Sequence, residues 1–497
     1  MWYKWTNDIT TSSFDDVVDP NRWGLPEEAV ANVGKDLREY WERYRLCFRS
    51  RTRDTSEYAY VYMRGQLTME EARNYANIER RVQGGDGQGL QQFMSDSPWS
   101  GQVVFGQIQA DIQAQSILQQ GGILILDESA DEKAGEHSAG AGRQYNGRQG
   151  KVDVCQVATC LAFAHAETSL WTLVDGELFV PQVWFTKAYA NLRREVGLPA
   201  ERVFETKLQL GLKMIRRVRG NGLPFERVAC DDLYGRSRPL RAALDADGIL
   251  YAAEVPADTP VYLKPPHVGL PRKRTRSGRA PTRLKVLSRH TAHPVRRLAR
   301  RRHTQWQRVP VRHTERGMLE ADFAVQWVWT LTDTKQVRPE WLVIRRDLDG
   351  RLTFVLLNDP EHTPTEVLIQ ASCQRYFTER TYQDAKSELG WDDFQARKYR
   401  AWEHHLALTA ASLWFVASLK LKWQHTYARD PDLLRQLEVE VLPALSTANV
   451  RELLQAALPL PRLTHHQARQ LVVEHLVHRA RSTRCRLKKQ REFEDSS

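Results

Sequence analysis

The feature that most constrains this chain is a short apolar run that ends in an acid. Residues 121–127 read Gly-Gly-Ile-Leu-Ile-Leu-Asp. Four consecutive apolar residues behind two glycines predict a short strand that is buried on both faces. Asp127 is the first charge at the end of this strand, where a carboxylate has a fixed position and can reach solvent, as a metal site requires. An aspartate at a strand end also commonly opens a turn, and Asp127 alone does not separate the two interpretations.

The segments that follow alternate between strand-like and helix-like patterns. In order they are a strand at 123–127, a strand at 152–161, a hairpin at 170–180 with its turn at Asp175-Gly176, a helix at 204–218, a strand at 225–230, a short helix at 239–244 and a strand at 249–255. The strand at 225–230 is followed directly by Asp231. This order predicts an α/β layer architecture with an antiparallel start and a parallel continuation. Upstream, Thr68 to Glu71 form a capping-box pattern that predicts a helix running toward Arg81.

Positive charge is concentrated in one segment. The net charge is +11, and residues 259–314 hold sixteen lysines and arginines with no acid, so the remainder of the chain is near −5. Such a segment predicts a polyanionic partner, most simply nucleic acid, although a solvated charge run has the same composition. The densest part comprises Arg296, Arg297, Arg300, Arg301 and Arg302, with Trp306 close behind.

Several functional classes are disfavoured by the sequence. The longest uncharged apolar run, 406–419, has fourteen residues, whereas a membrane span needs about 20. The N-terminus lacks the apolar centre of a signal peptide. Six cysteines without a close C-x-x-C pair favour reduced, buried thiols in an intracellular protein. Glycines near 135–150 are not followed by Gly-Lys-Ser/Thr, so no nucleotide cofactor is expected. These patterns predict a cytoplasmic protein.

A second group of polar residues lies on one predicted helix near 375–389. Arg375, Glu379, Tyr382 and Lys386 are spaced i, i+4, i+7 and i+11, which puts them on one face. Alone, this stripe is consistent with an exposed face and a weak ion pair. Together with Asp127 and Asp231, Glu379 can be the third carboxylate of a site for two divalent cations, and Mg²⁺ prefers such oxygen ligands. Rival acids for these roles are Glu128, Asp131, Asp232, Asp384 and Glu388.

Three segments carry a resemblance to a known family. Leu126-Asp127-Glu128-Ser129, residues 229–235 (ACDDLYG) and residues 375–390 (RYFTERTYQDAKSELG) resemble the DDE transposases of bacterial insertion sequences. One branch carries the signature Y-x-x-R-x-x-x-E-x-x-x-x-x-x-K on its last catalytic helix. Arg375, Glu379 and Lys386 match it at the same spacing, whereas Ser372 stands in the tyrosine position.

The resemblance implies a fold and a domain plan. The fold would be ribonuclease H-like, a mixed sheet with a β-rich insertion, in which the acids ending the first and fourth strands lie side by side. The implied parts are a mostly helical, DNA-end-binding region at 1–120, the first part of the catalytic core at 121–258, the basic β-rich insertion at 259–362, the second part of the core with the Glu379 helix at 363–425, and a helical region with a basic tail at 426–497.

The resemblance also implies an activity. Asp127, Asp231 and Glu379 would hold two Mg²⁺ ions, with Mn²⁺ as a substitute, for DNA cleavage and strand transfer. The protein would act as a dimer on the terminal inverted repeats of its element, in the bacterial nucleoid. Arg375, Lys386, Tyr382 and the arginines of the insertion would contact DNA. Trp306 would stabilise a flipped base, or else serve as a local packing anchor. The alternatives are a transposase-derived DNA-binding or regulatory protein that does not cut, and a ribonuclease H-like nuclease without strand transfer.

Overall fold

The computed structural model describes residues 16–147, 149–272, 281–314, 317–394 and 396–461, and individual positions between 464 and 488. The strands of the main sheet are β1 (Gly122–Glu132), β2 (Gly142–Asn146), β3 (Lys151–His165), β4 (Leu170–Phe179), β5 (Arg227–Cys230), β6 (Leu250–Glu254), β7 (Gln307–Thr314), β8 (Gly317–Leu331), β9 (Val337–Arg346) and β10 (Leu352–Leu357). Two-residue strands at 260–261, 268–269, 285–286 and 293–294 form two small additional sheets.

Helices precede, interrupt and follow the sheet. They are α1 (Glu27–Ala31), α2 (Val33–Tyr44), α3 (Ser56–Thr68), α4 (Tyr75–Ile78), α5 (Gln88–Ser95), α6 (Gly101–Gln113), α7 (Ala190–Glu195), α8 (Lys207–Gly220), α9 (Asp232–Gly235), α10 (Arg238–Ala246), α11 (Val295–Ala299), α12 (Thr365–Ser372), α13 (Tyr376–Gln383), α14 (Tyr399–Thr426), α15 (Asp432–Gln436) and α16 (Thr447–Ala457). A π-helical turn, Asp384–Glu388, continues α13.

The order of the main sheet is β7-β8-β9-β10-β6-β5-β1-β3-β2. Beyond the end of β2, β4 pairs with residues 157–165 of β3. β1 is antiparallel to β3 and parallel to β5, and β5 is parallel to β6. An antiparallel start followed by parallel strands was the predicted order, so the α/β, ribonuclease H-like fold class is confirmed. The predicted side-by-side placement of the first strand and the strand before Asp231 is confirmed as well.

The predicted hairpin at 170–180 is wrong. β4 is one continuous strand through Asp175 and Gly176, with a bulge where its partner strand passes from Leu161 to Ala162. Asp175 is buried and accepts hydrogen bonds from Arg217, so it does not need the solvent that a turn provides. Gly176 faces α14: a Cβ there would lie 2.6 Å from a methyl group of Leu406. The Asp-Gly pair therefore marks a close helix–sheet approach, which is a second common reason for glycine in a strand.

Helix α14 is the centre of the main hydrophobic core. Tyr40 of α2 donates to the carbonyl of Ala411 at 2.7 Å, and the Tyr62 hydroxyl of α3 lies 2.8 Å from Nδ1 of His405. One continuous cluster of buried side chains runs from Ala29 through the sheet to Leu454. The apolar run 406–419 is thus the inside of a globular core. No helix among the described residues is long and apolar enough to cross a membrane.

The β-rich insertion continues the core sheet. β10 pairs antiparallel with β6, and β9, β8 and β7 follow it outward. Apolar runs at 341–344 and 352–357 on either side of Asp349-Gly350 predict a hairpin, and β9 and β10 form it. Helix α11 packs on this part of the sheet through Val295 and Leu298, which are fully buried in a second cluster with Leu342 and Leu356. The insertion and the strands that hold the candidate site therefore belong to one continuous β-sheet.

Candidate active site

Three acids lie side by side at one edge of the parallel part of the sheet. The register pairs Leu126 of β1 with Cys230 of β5, and Cys230 with Ala253 of β6. The next residues along these strands are Asp127, Asp231 and Glu254. Because adjacent strands are about 4.8 Å apart, equivalent positions on three neighbouring strands place these acids in a row.

Local structure fixes the first two carboxylates. Asp231 is the N-cap of α9, and its Oδ1 accepts from the backbone N–H groups of Leu233 and Tyr234 at 3.1 and 3.3 Å. Oδ1 of Asp127 accepts from the N–H of Glu128 at 2.7 Å. These bonds hold both side chains in defined orientations at the edge of the sheet.

Both aspartates favour the protonated form more than an exposed aspartate does. Burial, reinforced by the charge of Asp231 and partly offset by Arg375, raises the pKa of Asp127 to about 7. Burial is also the main reason that the pKa of Asp231 rises to about 6. At both carboxylates burial outweighs the positive charge of Arg375, as expected at a cation-binding or acid–base site.

Arg375 connects this row to the predicted catalytic helix. It is the N-cap residue of α13, and its Nη1 donates to Oδ2 of Asp127 at 3.3 Å and its Nη2 to Oε1 of Glu379 at 3.2 Å. The Glu379 side chain is 63% exposed, whereas that of Asp127 is 13% exposed. The structure thus brings Asp127, Asp231 and Glu379 to the same edge, with a guanidinium between the strand acids and the helix acid.

The other two residues of the predicted helix stripe point inward. Nζ of Lys386 donates to the carbonyl of Ala130 in β1 at 3.0 Å. Tyr382 is half-buried, with its hydroxyl enclosed and its ring 5.8 Å from that of Trp391. Lys386 thus fastens the helix to the sheet and Tyr382 packs against Trp391, and the contact of either residue with DNA stays a prediction.

The rival acids each have a partner of their own. The partners are Lys207 for Glu128 at 2.5 Å, Lys133 for Asp131, Arg236 for Asp232 at 3.2 Å, Trp171 and Thr447 for Asp384 at 2.9 and 2.7 Å, and Arg451 for Glu388 at 2.9 Å. These contacts place the five acids in ion pairs and hydrogen bonds around the site, whereas Asp127 and Glu379 share one arginine. The metal-binding roles of Asp127, Asp231 and Glu379 stay a prediction.

The arginines predicted to bind DNA form an exposed group on and after α11. Arg296, Arg297, Arg300, Arg301 and Arg302, here called the five-arginine group, are all exposed. Their helix is anchored by the buried Val295 and Leu298, so the charges project from a fixed base. Trp306 is half-buried against the same cluster, and the guanidinium carbon of Arg346 lies 4.2 Å from its ring centroid. The lysines and arginines of the basic segment that fall within 273–280 lie outside the described residues.

Comparison with known families identifies the superfamily of this chain. The family model described as DDE superfamily endonuclease matches residues 43–318, more than half of the chain. The chain belongs to the DDE superfamily of endonucleases. For this DDE endonuclease the match includes Asp127 and Asp231 and ends before Glu379. The resemblance to DDE enzymes predicted from the sequence is confirmed at this level.

A curated relative of this DDE endonuclease is similar over most of both chains. It is the "Probable transposase for insertion sequence element IS701" of Microchaete diplosiphon, 24% identical over 380 residues, which are 75% of this chain and 85% of the relative. The similarity therefore extends well beyond the range of the family model.

The donor set of this DDE endonuclease suits a hard divalent cation. Asp127, Asp231 and Glu379 offer carboxylate oxygens, the ligands that Mg²⁺ and Mn²⁺ prefer. Among the residues that the structure describes, no three histidine, cysteine, aspartate or glutamate side chains are arranged so that they could already hold a metal ion. The fit therefore rests on the chemistry and burial of the aspartates, with Arg375 supplying the positive charge between Asp127 and Glu379 in the arrangement described.

Sequence reasoning missed Glu254. Its Oε1 accepts from Nε of Arg375 at 3.1 Å, so it belongs to the same ion-pair group. A signal was present: Asp127, Asp231 and Glu254 each follow three apolar residues at the end of a predicted strand. The predicted strand at 249–255 has this acid as its next-to-last residue, so the same strand-end pattern points to it.

Proposed function

We propose that this DDE endonuclease is a DNA transposase, which binds the terminal inverted repeats of its element and catalyses metal-dependent cleavage and strand transfer. The observation that carries the proposal is the row of Asp127 and Asp231 on adjacent parallel strands, with Glu379 joined to it through Arg375. The name of the relative from Microchaete diplosiphon supports the same class of reaction.

In this proposal the three acids hold the cations. Asp127, Asp231 and Glu379 would bind two Mg²⁺ ions, or Mn²⁺ in their place. Bound cations of this kind activate the attacking oxygen and stabilise the leaving oxygen in an in-line displacement at phosphorus. The chain supplies two carboxylates at adjacent strand ends and a third on a helix, and Asp127 and Glu379 would exchange Arg375 for the cations.

The basic residues would bind and orient the DNA. The five-arginine group is exposed on the insertion, and the insertion shares its sheet with the strands that hold the acids. Phosphate contacts there would fix the position of the duplex relative to Asp127 and Asp231 without reading its sequence. Arg375 and Lys386 are the candidates for phosphates next to the cut. Two copies of the chain would act on the two ends of an element.

The test is cleavage of DNA that carries the ends of the element, with Mg²⁺ or Mn²⁺. Asp127→Asn, Asp231→Asn and Glu379→Gln should each lower the cleavage rate by more than the roughly 10–100-fold that loss of an outer-shell partner costs. Binding of the ends should stay within about twofold, because phosphate contacts by basic residues supply most of the affinity. Asp232→Asn is the matched control, since this neighbouring acid is 52% exposed and paired with Arg236; it should cleave like the wild type.

Three results would contradict the proposal. Binding lost in parallel with cleavage would make the acids structural. Ends that are bound but never cut by the wild-type protein would favour a DNA-binding or regulatory protein. Cleavage without joining of the 3′ end to target DNA would favour a nuclease.

A further inference from the structure

Glu254 lies in the row of strand-end acids with Asp127 and Asp231. Neither the family match nor the proposed three-acid site gives Glu254 a role. It ends β6, one strand beyond Asp231, and its side chain is 24% exposed. The strand places its carboxylate at the border of the site, where it is neither fully buried nor free in solvent.

The backbone of Glu254 is held from two directions. On one side Glu254 pairs with Val355 of β10, the first insertion strand beside the core. On the other side α9, the helix that Asp231 caps, comes so close that a Cβ on Gly235 would lie 1.8 Å from the Glu254 carbonyl oxygen. Only glycine permits this approach, which fixes Glu254 relative to Asp231.

The side chain of Glu254 binds the arginine that the other acids share. Arg375 uses Nε for Glu254, Nη1 for Asp127 and Nη2 for Glu379, at 3.1, 3.3 and 3.2 Å. One guanidinium thus serves three carboxylates, and two of these belong to the proposed metal-binding set. A cation bound to Asp127 and Glu379 would compete with Arg375 for the same oxygens.

We propose that Glu254 is a positioning residue, which retains Arg375 at the edge of the site when Asp127 and Glu379 turn to a divalent cation. This rests on the proposed function. Glu254 lies outside the three-acid set, so its bond to Nε does not have to break. It keeps the guanidinium from competing for the metal ligands, and it leaves two N–H groups of Arg375 available for a phosphate of the DNA.

The test measures Mn²⁺ binding to the full-length protein without DNA, by calorimetric titration. Glu254→Gln should weaken binding roughly tenfold, in the range typical for loss of an outer-shell partner, because Arg375 then pairs only with Asp127 and Glu379. Arg375→Gln should not weaken binding, since it removes the competing cation. The double variant should bind like Arg375→Gln, because Glu254 acts through the arginine. Glu254→Asp, which keeps the charge, should recover part of the loss.

Controls separate this inference from the proposed function. Asp127→Asn must lose Mn²⁺ binding; if it binds like the wild type, or if the wild type does not bind, the metal site itself is wrong. Glu361→Gln, an exposed acid between β10 and α12, should match the wild type. With those controls satisfied, an unchanged affinity in Glu254→Gln would overturn the positioning role. An equal loss in the Arg375→Gln background would also overturn it, since Glu254 would then be a ligand in its own right.

Discussion

The raised pKa of Asp127 leads to a prediction about how the free energy of unfolding depends on pH, which can be tested without DNA or metal. Its pKa rises from 3.8 to about 7 on folding, mainly through burial. Between these pH values the folded protein keeps a proton on Asp127 that the unfolded chain has released. The free energy of unfolding therefore falls as the pH rises from about 4 to about 7, and it stays lowered above pH 7.

The size of this effect follows from the shift. Three pKa units at about 1.4 kcal/mol per unit give an upper limit of about 4 kcal/mol at pH 8. About 2 of the 3 units lie above pH 5, so Asp127→Asn should gain stability over the wild type by up to about 3 kcal/mol between pH 5 and pH 8. The measured gain should be smaller, because the substitution also removes the Asp127 carboxylate that accepts a hydrogen bond from Arg375.

The assay is thermal unfolding of both proteins at pH 5 and pH 8 with a chelator present. Asp127→Asn should have the higher Tm at pH 8, by a few degrees, and a smaller difference at pH 5. Asp231→Asn should behave in the same direction with a smaller effect, since its pKa rises only to about 6. Glu361→Gln, which is exposed, should show no such pH dependence. A Tm difference that is the same at both pH values, or a less stable Asp127→Asn at pH 8, would refute the reasoning.

Two further predictions concern the insertion. Replacing the five-arginine group by alanine should reduce the slope of log affinity against log salt by up to about 4.5, at ~0.9 per phosphate contact. The reduction should be the same on specific and on random duplex DNA. An unchanged slope in filter-binding titrations would show that these residues do not contact DNA. Trp306→Ala should leave that slope unchanged. If its ring stacks on a flipped base, the variant should slow only the step that unstacks it, as followed by 2-aminopurine fluorescence at the element end; a loss of thermal stability without a kinetic defect would instead assign Trp306 to packing beneath Arg346.

Patterns local to one strand predict the two strand ends at Asp127 and Asp231, whereas their side-by-side placement follows from the resemblance to the ribonuclease H-like fold. Leu126-Asp127 and Cys230-Asp231 each end an apolar run, and parallel neighbours in register bring such ends together. The Asp349-Gly350 hairpin was likewise predicted correctly, since its turn and its two flanking strands are contiguous in sequence. These features depend on periodicity and turn chemistry, which the sequence carries directly.

Features that depend on distant packing were not predictable in the same way. Asp175-Gly176 has the composition of a turn, but Arg217 and Leu406 make it part of a strand. The capping-box pattern at Thr68 does not open a helix: Thr68 ends α3, and the next helix begins at Tyr75 with Asn74 as its cap. At the end of α3, Arg451 donates to the carbonyls of Leu67 and Met69 at 3.3 and 2.5 Å. In both cases residues far along the chain contact the segment and outweigh its local preference.

The position of α14 at the centre of the core bears on how the polypeptide reaches its native state during synthesis. Tyr40 and Tyr62 find their hydrogen-bond partners on α14, at Ala411 and His405, more than 300 residues later. Until the ribosome has completed α14, these two hydroxyls lack their partners, and the faces of α2 and α3 that pack on α14 stay uncovered. A product that stops before α14, through a nonsense mutation or proteolysis, would therefore expose apolar surface that chaperones and proteases recognise.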